Sequence, residues 1–291
     1  MLVSERIGQF FLEGGDRLEY TEYGGGDSWV VLLHAQLMPR RMHQPLARAL
    51  AAEGLHVVTL DLLGHGRSDR PDDPLRYSMS AFADQVVALL DHLGAEQAVV
   101  GGTSLGANVS LEVAVSAPGR VRGLLVEMPV LHNALEAGLI AFAPLMFAAR
   151  FLPVTVHVTR WLTRPVPRGL VPFWVGIGLD TLDQHPRPVA AVVHGIFFGR
   201  VAPSSAQRRA IDVPALVVGH PVDPIHPAAD AALLAAELPR AEFLRASSII
   251  EWRAQPERLT RAAAEFALGC WDTRLVEKGE GETPRRRSRR A

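Results

Sequence analysis

The stretch that most constrains this chain is residues 99–114, which read VVGGTSLGANVSLEVA. An apolar run leads into a glycine-rich turn and then into a helical pattern of small and apolar residues, which predicts a buried strand, a sharp turn and a helix. The letters GTSLG at residues 102–106 fit G-x-S-x-G, a pattern that exposes a serine hydroxyl at a strand-to-helix turn. The helix beneath begins with free N–H groups and a positive dipole end. The stretch therefore predicts that Ser104 is a nucleophile beside an oxyanion site.

Strand and helix patterns alternate along both ends of the chain. The first two strand patterns flank a Gly-Gly-Asp turn and predict an antiparallel hairpin. The later strands are continuous apolar runs separated by helical patterns, which favours a mostly parallel sheet with helices on both faces. The predicted strands are 6–12, 17–23, 29–33, 56–60, 97–102, 121–127, 213–219 and 241–245, and the predicted helices are 40–53, 80–93, 105–117, 227–238 and 256–268, with Ser80 as a helix cap.

The middle of the chain has a different pattern. Residues 128–207 contain helical patterns at 135–149, 154–162 and 189–198, with many prolines and no clear strand. We interpret this segment as a helical cap inserted into an α/β core of residues 1–127 and 208–271, with large apolar side chains that mostly pack within the cap. Residues 272–291 are polar and end in RRRSRR, which predicts a disordered basic tail.

Composition limits the classes of partner and compartment. The 291 residues carry a formal net charge of −1, which argues against nucleic acid or an anionic membrane as the partner. A single cysteine, Cys270, excludes an internal disulfide and a cysteine-based metal site. No signal peptide is recognisable at the start, and the apolar stretch 131–149 is interrupted by Glu136 and Pro144. We expect a cytoplasmic protein that acts on a small molecule, with its oligomeric state open.

Three motifs together resemble the α/β-hydrolase superfamily over residues 1–271. They are the turn at Ser104, the letters LLHAQ at residues 32–36, and DLLGHGRS at residues 61–68. The resemblance implies that Ser104 forms an acyl-enzyme and that the Leu105 N–H is one oxyanion donor. The second donor would come from Ala35 or Gln36, although Ala35 stands where the family usually has glycine. The resemblance implies no cofactor and no metal.

The resemblance also implies an acid after the strand at 213–219. Residues 219–227 read GHPVDPIHP and are similar to the family's G-x-x-x-D-x-x-x-P loop, which makes Asp223 the candidate acid. Glu127, at the end of the preceding strand, occupies a position that supplies the acid in some members of the family. Asp223 is the first choice and Glu127 the alternative.

The base that the family would supply is missing from its usual place. The loop after the last strand, residues 246–257, reads ASSIIEWRAQPE, so that Ser248 stands where a histidine is expected. No histidine follows His226 in the sequence. A serine hydroxyl without a base is a poor nucleophile, and losing one member of a triad costs several orders of magnitude in rate.

Three interpretations of the missing base remain open. The base is relocated to His226, whose position on the acid's own loop makes the usual acid–His–Ser line awkward, or to His132 or His194 in the insertion. Alternatively, the pocket carries out a lyase, isomerisation or cyclisation step with Glu251, His226 or a cap residue. The third interpretation is an inactive protein that only binds a ligand. A weak esterase with an unassisted Ser104 is what remains beside these three. The preferred interpretation is a hydrolase of a small apolar ester or related carbonyl compound.

Overall fold

A twisted sheet of eight strands organises the computed structural model, which describes residues 3–131 and 153–272. The strand order is β1-β2-β4-β3-β5-β6-β7-β8, with β1 and β2 antiparallel to their neighbours and the other pairs parallel. The α/β-hydrolase fold class predicted from the sequence is confirmed. The strands are β1 (Glu5–Phe11), β2 (Arg17–Tyr23), β3 (Trp29–Leu33), β4 (His56–Asp61), β5 (Ala98–Thr103), β6 (Val121–Glu127), β7 (Ala215–Gly219) and β8 (Ala241–Arg245).

Helices cover both faces of the sheet, because the central strands are apolar on both sides. One face packs against α2 (Met79–Leu93), α3 (Leu105–Ser116) and α8 (Ala228–Glu237) in a large apolar cluster, and the other packs against α1 (Gln44–Ala52) and α10 (Glu257–Trp271). The helices of the described residues are α1 (Gln44–Ala52), α2 (Met79–Leu93), α3 (Leu105–Ser116), α4 (Pro153–Thr163), α5 (Phe173–Leu182), α6 (Pro186–Phe197), α7 (Ser205–Arg209), α8 (Ala228–Glu237), α9 (Glu251–Ala254) and α10 (Glu257–Trp271).

Two sequence predictions about helix starts were wrong. The Ser78 hydroxyl, not Ser80, caps α2 by accepting a hydrogen bond from the Ala81 N–H. The Ser80 hydroxyl instead donates to the Glu112 carboxylate at 3.2 Å. The helix predicted at 40–53 is divided, since Arg40–His43 forms a 3-10 turn before α1 begins. Proline at the second position of α1 is compatible with a helix start, where its missing N–H costs nothing.

The described part of the segment predicted to be a cap, residues 128–131 and 153–207, contains α4, α5 and α6, the first residues of α7, and no strand. Helix α5 was not predicted, because its sequence FWVGIGLDTL contains two glycines and no clear polar face. Its Trp174 and the Phe197 of α6 line a cavity of about 620 Å³, whereas Trp161 and Phe198 are exposed. The predicted helix at 135–149, His132 and the predicted basic tail beyond Asp272 lie outside the described residues. No helix in the described ranges is long and apolar enough to cross a membrane.

Candidate active site

Ser104 occupies a strained turn between β5 and α3. Its backbone dihedrals are φ 55° and ψ −107°, a conformation that residues with side chains rarely adopt. Gly102 and Gly106 make the turn possible, because a Cβ atom at either position would lie 2.2 Å or 2.1 Å from the Leu33 carbonyl oxygen. The Ser104 N–H donates to the Glu127 carbonyl oxygen at 2.9 Å, which fixes the turn to the end of β6. Strain held in this way is typical of functional positions.

The Ser104 hydroxyl contacts the imidazole of His226. The distance from Oγ to Nε2 is 2.9 Å, and the other ring nitrogen, Nδ1, lies 3.1 Å from Oδ2 of Asp223. An ionised carboxylate only accepts, so Nδ1 carries the hydrogen and Nε2 is left to accept from the serine. The three side chains therefore form a continuous Ser–His–Asp line, with base and acid from the same loop after β7.

A local turn holds Asp223 in place. Its Oδ1 atom accepts the backbone N–H groups of Ile225 at 2.8 Å and His226 at 2.9 Å, while Oδ2 accepts from the His226 ring. The preceding residue, Val222, has φ 57° and is 93% exposed. Burial raises the pKa of Asp223, but the hydrogen bonds from the His226 side chain and from both N–H groups outweigh it, so the net shift is downward. Asp223 is therefore an ionised partner for the imidazole.

The predicted oxyanion donors lie around Ser104. Leu105 is the first residue of α3, and Ala35 and Gln36 follow the end of β3; all three line the cavity. The Ala35 N–H already donates to Sδ of Met42 at 3.2 Å. The side-chain nitrogen of Gln36 is buried and has no hydrogen-bond partner within the described structure. An unpaired buried donor is costly unless a ligand satisfies it, which makes Gln36 the better placed of the two candidates for the second donor.

Ser104 and His226 open onto a cavity of about 620 Å³. Four of the six methionines of the chain line it, and methionine side chains adapt to ligands of irregular shape. The lining is otherwise mostly apolar, as is usual for a small-molecule site with a few convergent polar groups. The lining includes Gln36, Met38, Met42, Met79, Thr103, Ser104, Met128, Trp174, Phe197, Ile225, His226 and Arg253.

The other predicted bases and acids do not lie on this line. His194 is exposed on α6, where its ring lies 4.6 Å from that of Phe198, and it is not among the described residues that line the cavity. Glu251 accepts hydrogen bonds from Ser247 and Arg258. The bond from Arg258 is the main cause that lowers the pKa of Glu251 to about 2. His132 lies outside the described residues.

Glu127, the alternative acid, belongs to a separate buried cluster. Its carboxylate accepts from the Thr103 hydroxyl at 2.5 Å, from Nε2 of His220 at 2.9 Å, and from both Nη atoms of Arg253. Four donors occupy the four lone-pair positions of a carboxylate, so none is left for His226. Burial raises the pKa of Glu127, but Arg253 and His220 outweigh it and hold the carboxyl ionised. Sequence reasoning missed His220 and Arg253, since their partners are distant in the chain.

The motif at residues 61–68 is structural. Asp61 accepts the backbone N–H groups of Arg40 at 2.5 Å and Arg67 at 2.9 Å, together with a bond from the Arg40 guanidinium. His34 accepts from the Leu62 N–H at 3.1 Å, and its ring lies 4.6 Å from that of His65. Burial lowers the pKa of both histidines, which keeps them neutral beneath the site.

Comparison with known proteins agrees with the observed fold. Residues 28–153 match the family model described as the alpha/beta hydrolase fold. The chain superposes on a hydrolase from Pseudomonas aeruginosa PA01 with a TM-score of 0.72 and 20% identity, covering 90% of this chain and 98% of the other. The structural match shows the α/β-hydrolase fold, and residues 28–153 are similar to the family that carries that description.

Curated relatives are mostly hydrolases. The chain is 30% identical to a haloalkane dehalogenase from Mycolicibacterium paratuberculosis over 139 residues, 47% of this chain and 46% of the relative. It is 25% identical to 3-oxoadipate enol-lactonase 2 from Acinetobacter baylyi over 235 residues, 80% of this chain and 86% of the relative. Three comparisons at 30% to 41% identity, including that with the haloalkane dehalogenase, each match less than half of the relative's length. The activities in these names are those of the relatives.

Proposed function

We propose that this protein is a serine hydrolase of a small, largely apolar ester or related carbonyl compound. The observation that carries the proposal is the 2.9 Å contact between Oγ of Ser104 and Nε2 of His226, whose other nitrogen faces Asp223. The lyase, isomerase and binding-only alternatives depended on a missing base. An imidazole on the serine hydroxyl favours the hydrolase over all of them.

The proposed reaction follows the geometry of the line. His226 accepts the hydroxyl proton on Nε2 as Oγ of Ser104 attacks the carbonyl carbon. The Leu105 N–H and a donor of Gln36 bind the oxyanion that forms. His226 then gives the proton to the leaving oxygen, and the acyl group stays on Ser104. Water attacks the acyl-enzyme, with His226 again as the base, and releases a carboxylate and free Ser104.

The compartment is part of the proposal. We place the protein in the cytoplasm, where thiols remain reduced. Its single cysteine, Cys270, is buried and unpaired, and burial raises the pKa of its thiol to about 11, which keeps it unreactive.

Hydrolysis of short-chain p-nitrophenyl esters tests the function. We expect the wild type to release p-nitrophenol and to be labelled by a fluorophosphonate, and Ser104→Ala to lose both properties. Ser110→Ala is the matched control, because that hydroxyl only donates to the Gly106 carbonyl oxygen within α3. Absence of turnover and labelling in the wild type would reject acyl transfer through Ser104.

A further inference from the structure

Arg253 is the single Arg, Lys, Asp or Glu among the described residues that line the active-site cavity. Its guanidinium donates to the Glu127 carboxylate through both Nη atoms and lies 5.6 Å from the centre of the Trp174 ring. The Trp174 N–H in turn donates to the Arg253 carbonyl oxygen at 3.2 Å. A guanidinium has five N–H donors, and two of them serve Glu127. The side chain is 22% exposed, so Arg253 is held in place while part of it faces the cavity.

The ring of His220 shares the Glu127 carboxylate with Arg253. Its Nδ1 atom lies 3.0 Å from the Ser248 carbonyl oxygen and its Nε2 atom 2.9 Å from the Glu127 carboxylate. Because both partners only accept hydrogen bonds, the contacts favour the protonated, positively charged ring, which carries hydrogen on both nitrogens. Burial lowers the pKa of His220, but the bond to Glu127 and its charge outweigh burial, and the net shift is upward. This shift agrees with the geometry.

With His220 protonated, the cluster of Glu127, His220 and Arg253 has one positive charge in excess. Two cations surround one carboxylate, and Thr103 completes its hydrogen bonds without adding charge. An uncompensated charge beside an apolar cavity is unfavourable unless an anion approaches it. A guanidinium fork matches a carboxylate in shape, charge and donor geometry.

The cluster is also close to the nucleophile. Thr103, whose hydroxyl donates to Glu127, immediately precedes Ser104 in the chain, and the Ser104 N–H donates to the Glu127 carbonyl oxygen. Only the Glu127 carboxylate separates the Thr103 hydroxyl from the Arg253 guanidinium. A ligand group on Arg253 would thus be joined to a carbonyl at Ser104 by a short spacer, which the methionine-rich wall can accommodate.

We propose that the substrate carries a carboxylate at the end of a short apolar spacer from the reacting carbonyl, and that Arg253 binds this carboxylate. The inference rests on the proposed hydrolase function and adds the substrate class to it. Arg253 determines specificity in this scheme, and His220 acts through Glu127 as a positioning residue.

The test compares two esters of equal chain length. Mono-p-nitrophenyl glutarate carries a terminal carboxylate, whereas p-nitrophenyl pentanoate ends in a methyl group. We expect the wild type to have a kcat/KM at least tenfold higher for the glutarate ester, mainly through a lower KM. Arg253→Gln should reduce the ratio of the two kcat/KM values by tenfold or more, and Arg253→Lys should restore part of it. Because a loss of active protein lowers both kcat/KM values by the same factor, it does not change their ratio.

Arg200→Gln is the matched control for this variant. Arg200 also donates to a buried carboxylate, that of Glu112, but it is not among the described cavity-lining residues. The ratio of the kcat/KM values for the two esters should be the same in Arg200→Gln as in the wild type. Equal kcat/KM values for the two esters in the wild type, or an unchanged ratio in Arg253→Gln, would overturn the inference.

Failure of the hydrolase function gives a different result, because neither ester would then be cleaved. Calorimetric titration of Ser104→Ala with monomethyl glutarate and methyl pentanoate measures binding in the absence of turnover. We expect tighter binding of monomethyl glutarate, lost in Ser104→Ala/Arg253→Gln. Equal binding of both esters would reject carboxylate recognition by Arg253.

Discussion

Asp223 and His226 are three residues apart on one loop, and their side chains still meet at 3.1 Å with the imidazole directed at Ser104. The arrangement is possible because Oδ1 of Asp223 caps the turn while Oδ2 remains free for the ring. One carboxylate thus has two roles, one in the backbone of the loop and one on the imidazole. Predictions about each role can be separated by substitution.

Replacing His226 by alanine should remove the base and leave the rest of the cavity intact. We expect kcat/KM for p-nitrophenyl esters to fall by about 10³-fold or more, since oxyanion and binding interactions remain. His194→Ala is the control, because His194 is exposed and lies on the outer surface of α6. A loss of activity in His194→Ala with full activity in His226→Ala would contradict the assignment.

Two substitutions of Asp223 should both lower activity, but they should differ in the stability of the folded protein. Asp223→Asn keeps an oxygen that accepts the N–H groups of Ile225 and His226 but removes the negative charge, so we expect a loss of activity with little change in melting temperature. Asp223→Ala removes both the accepting oxygen and the charge. Loss of a cap of this kind lowers the free energy of unfolding by about 1 kcal/mol. Thermal unfolding of the two variants side by side measures the difference.

Equal melting temperatures for Asp223→Asn and Asp223→Ala would mean that Oδ1 does not stabilise the loop. Full activity in Asp223→Asn would mean that the imidazole needs no ionised partner.

Gly106→Ala should destabilise the turn that presents Ser104. The added methyl group would lie 2.1 Å from the Leu33 carbonyl oxygen, and backbone at this distance cannot move aside cheaply. We expect a loss of about 1–3 kcal/mol in the free energy of unfolding, measured by urea denaturation. Gly119→Ala is the control, because a Cβ atom there meets nothing within 4 Å. Similar losses in both variants would refute the steric argument.

The charged state of His220 predicts a pH dependence of stability. Because its pKa is raised in the folded protein, its contribution is fully present below the unfolded value near 6.5 and is lost as pH rises through the folded pKa. The difference in unfolding free energy between wild type and His220→Asn should therefore shrink above about pH 6.5. Each tenfold increase in proton affinity on folding corresponds to about 1.4 kcal/mol. Urea denaturation of both proteins from pH 5.5 to 9 measures this difference in unfolding free energy. A difference that grows with pH would contradict the prediction.

The sequence was informative wherever local pattern decides structure. Apolar runs and helical spacing located every strand of the sheet to within two residues at each end, and GTSLG located the turn at Ser104. The sequence could not decide whether His226 can serve a serine from the acid's own loop, because that depends on the direction of one turn. Val222 at φ 57° and the two N–H bonds to Asp223 set this direction, and neither has a signature in the letters.

The Glu127, His220 and Arg253 cluster had no sequence signal at all. Its members come from the ends of β6 and β7 and from α9, and they meet only because parallel strands end at the same edge of the sheet. Glu127 was recognised by its position, but its hydrogen bonds could not be. Chemistry assembled from distant segments becomes visible when the sheet order is known.

Asp223 and His226 both follow β7, so they come from a different segment of the chain than the part of the cavity wall that follows β8. The segment after β8, residues 246–254, contributes Ile249, Ile250, Arg253 and Ala254 to the cavity wall and no group to the Ser–His–Asp line. Exchange of this segment between related chains would change which molecules fit without replacing Ser104, His226 or Asp223. This segment at the edge of the sheet is therefore a place where substitution can alter the choice of bound molecule.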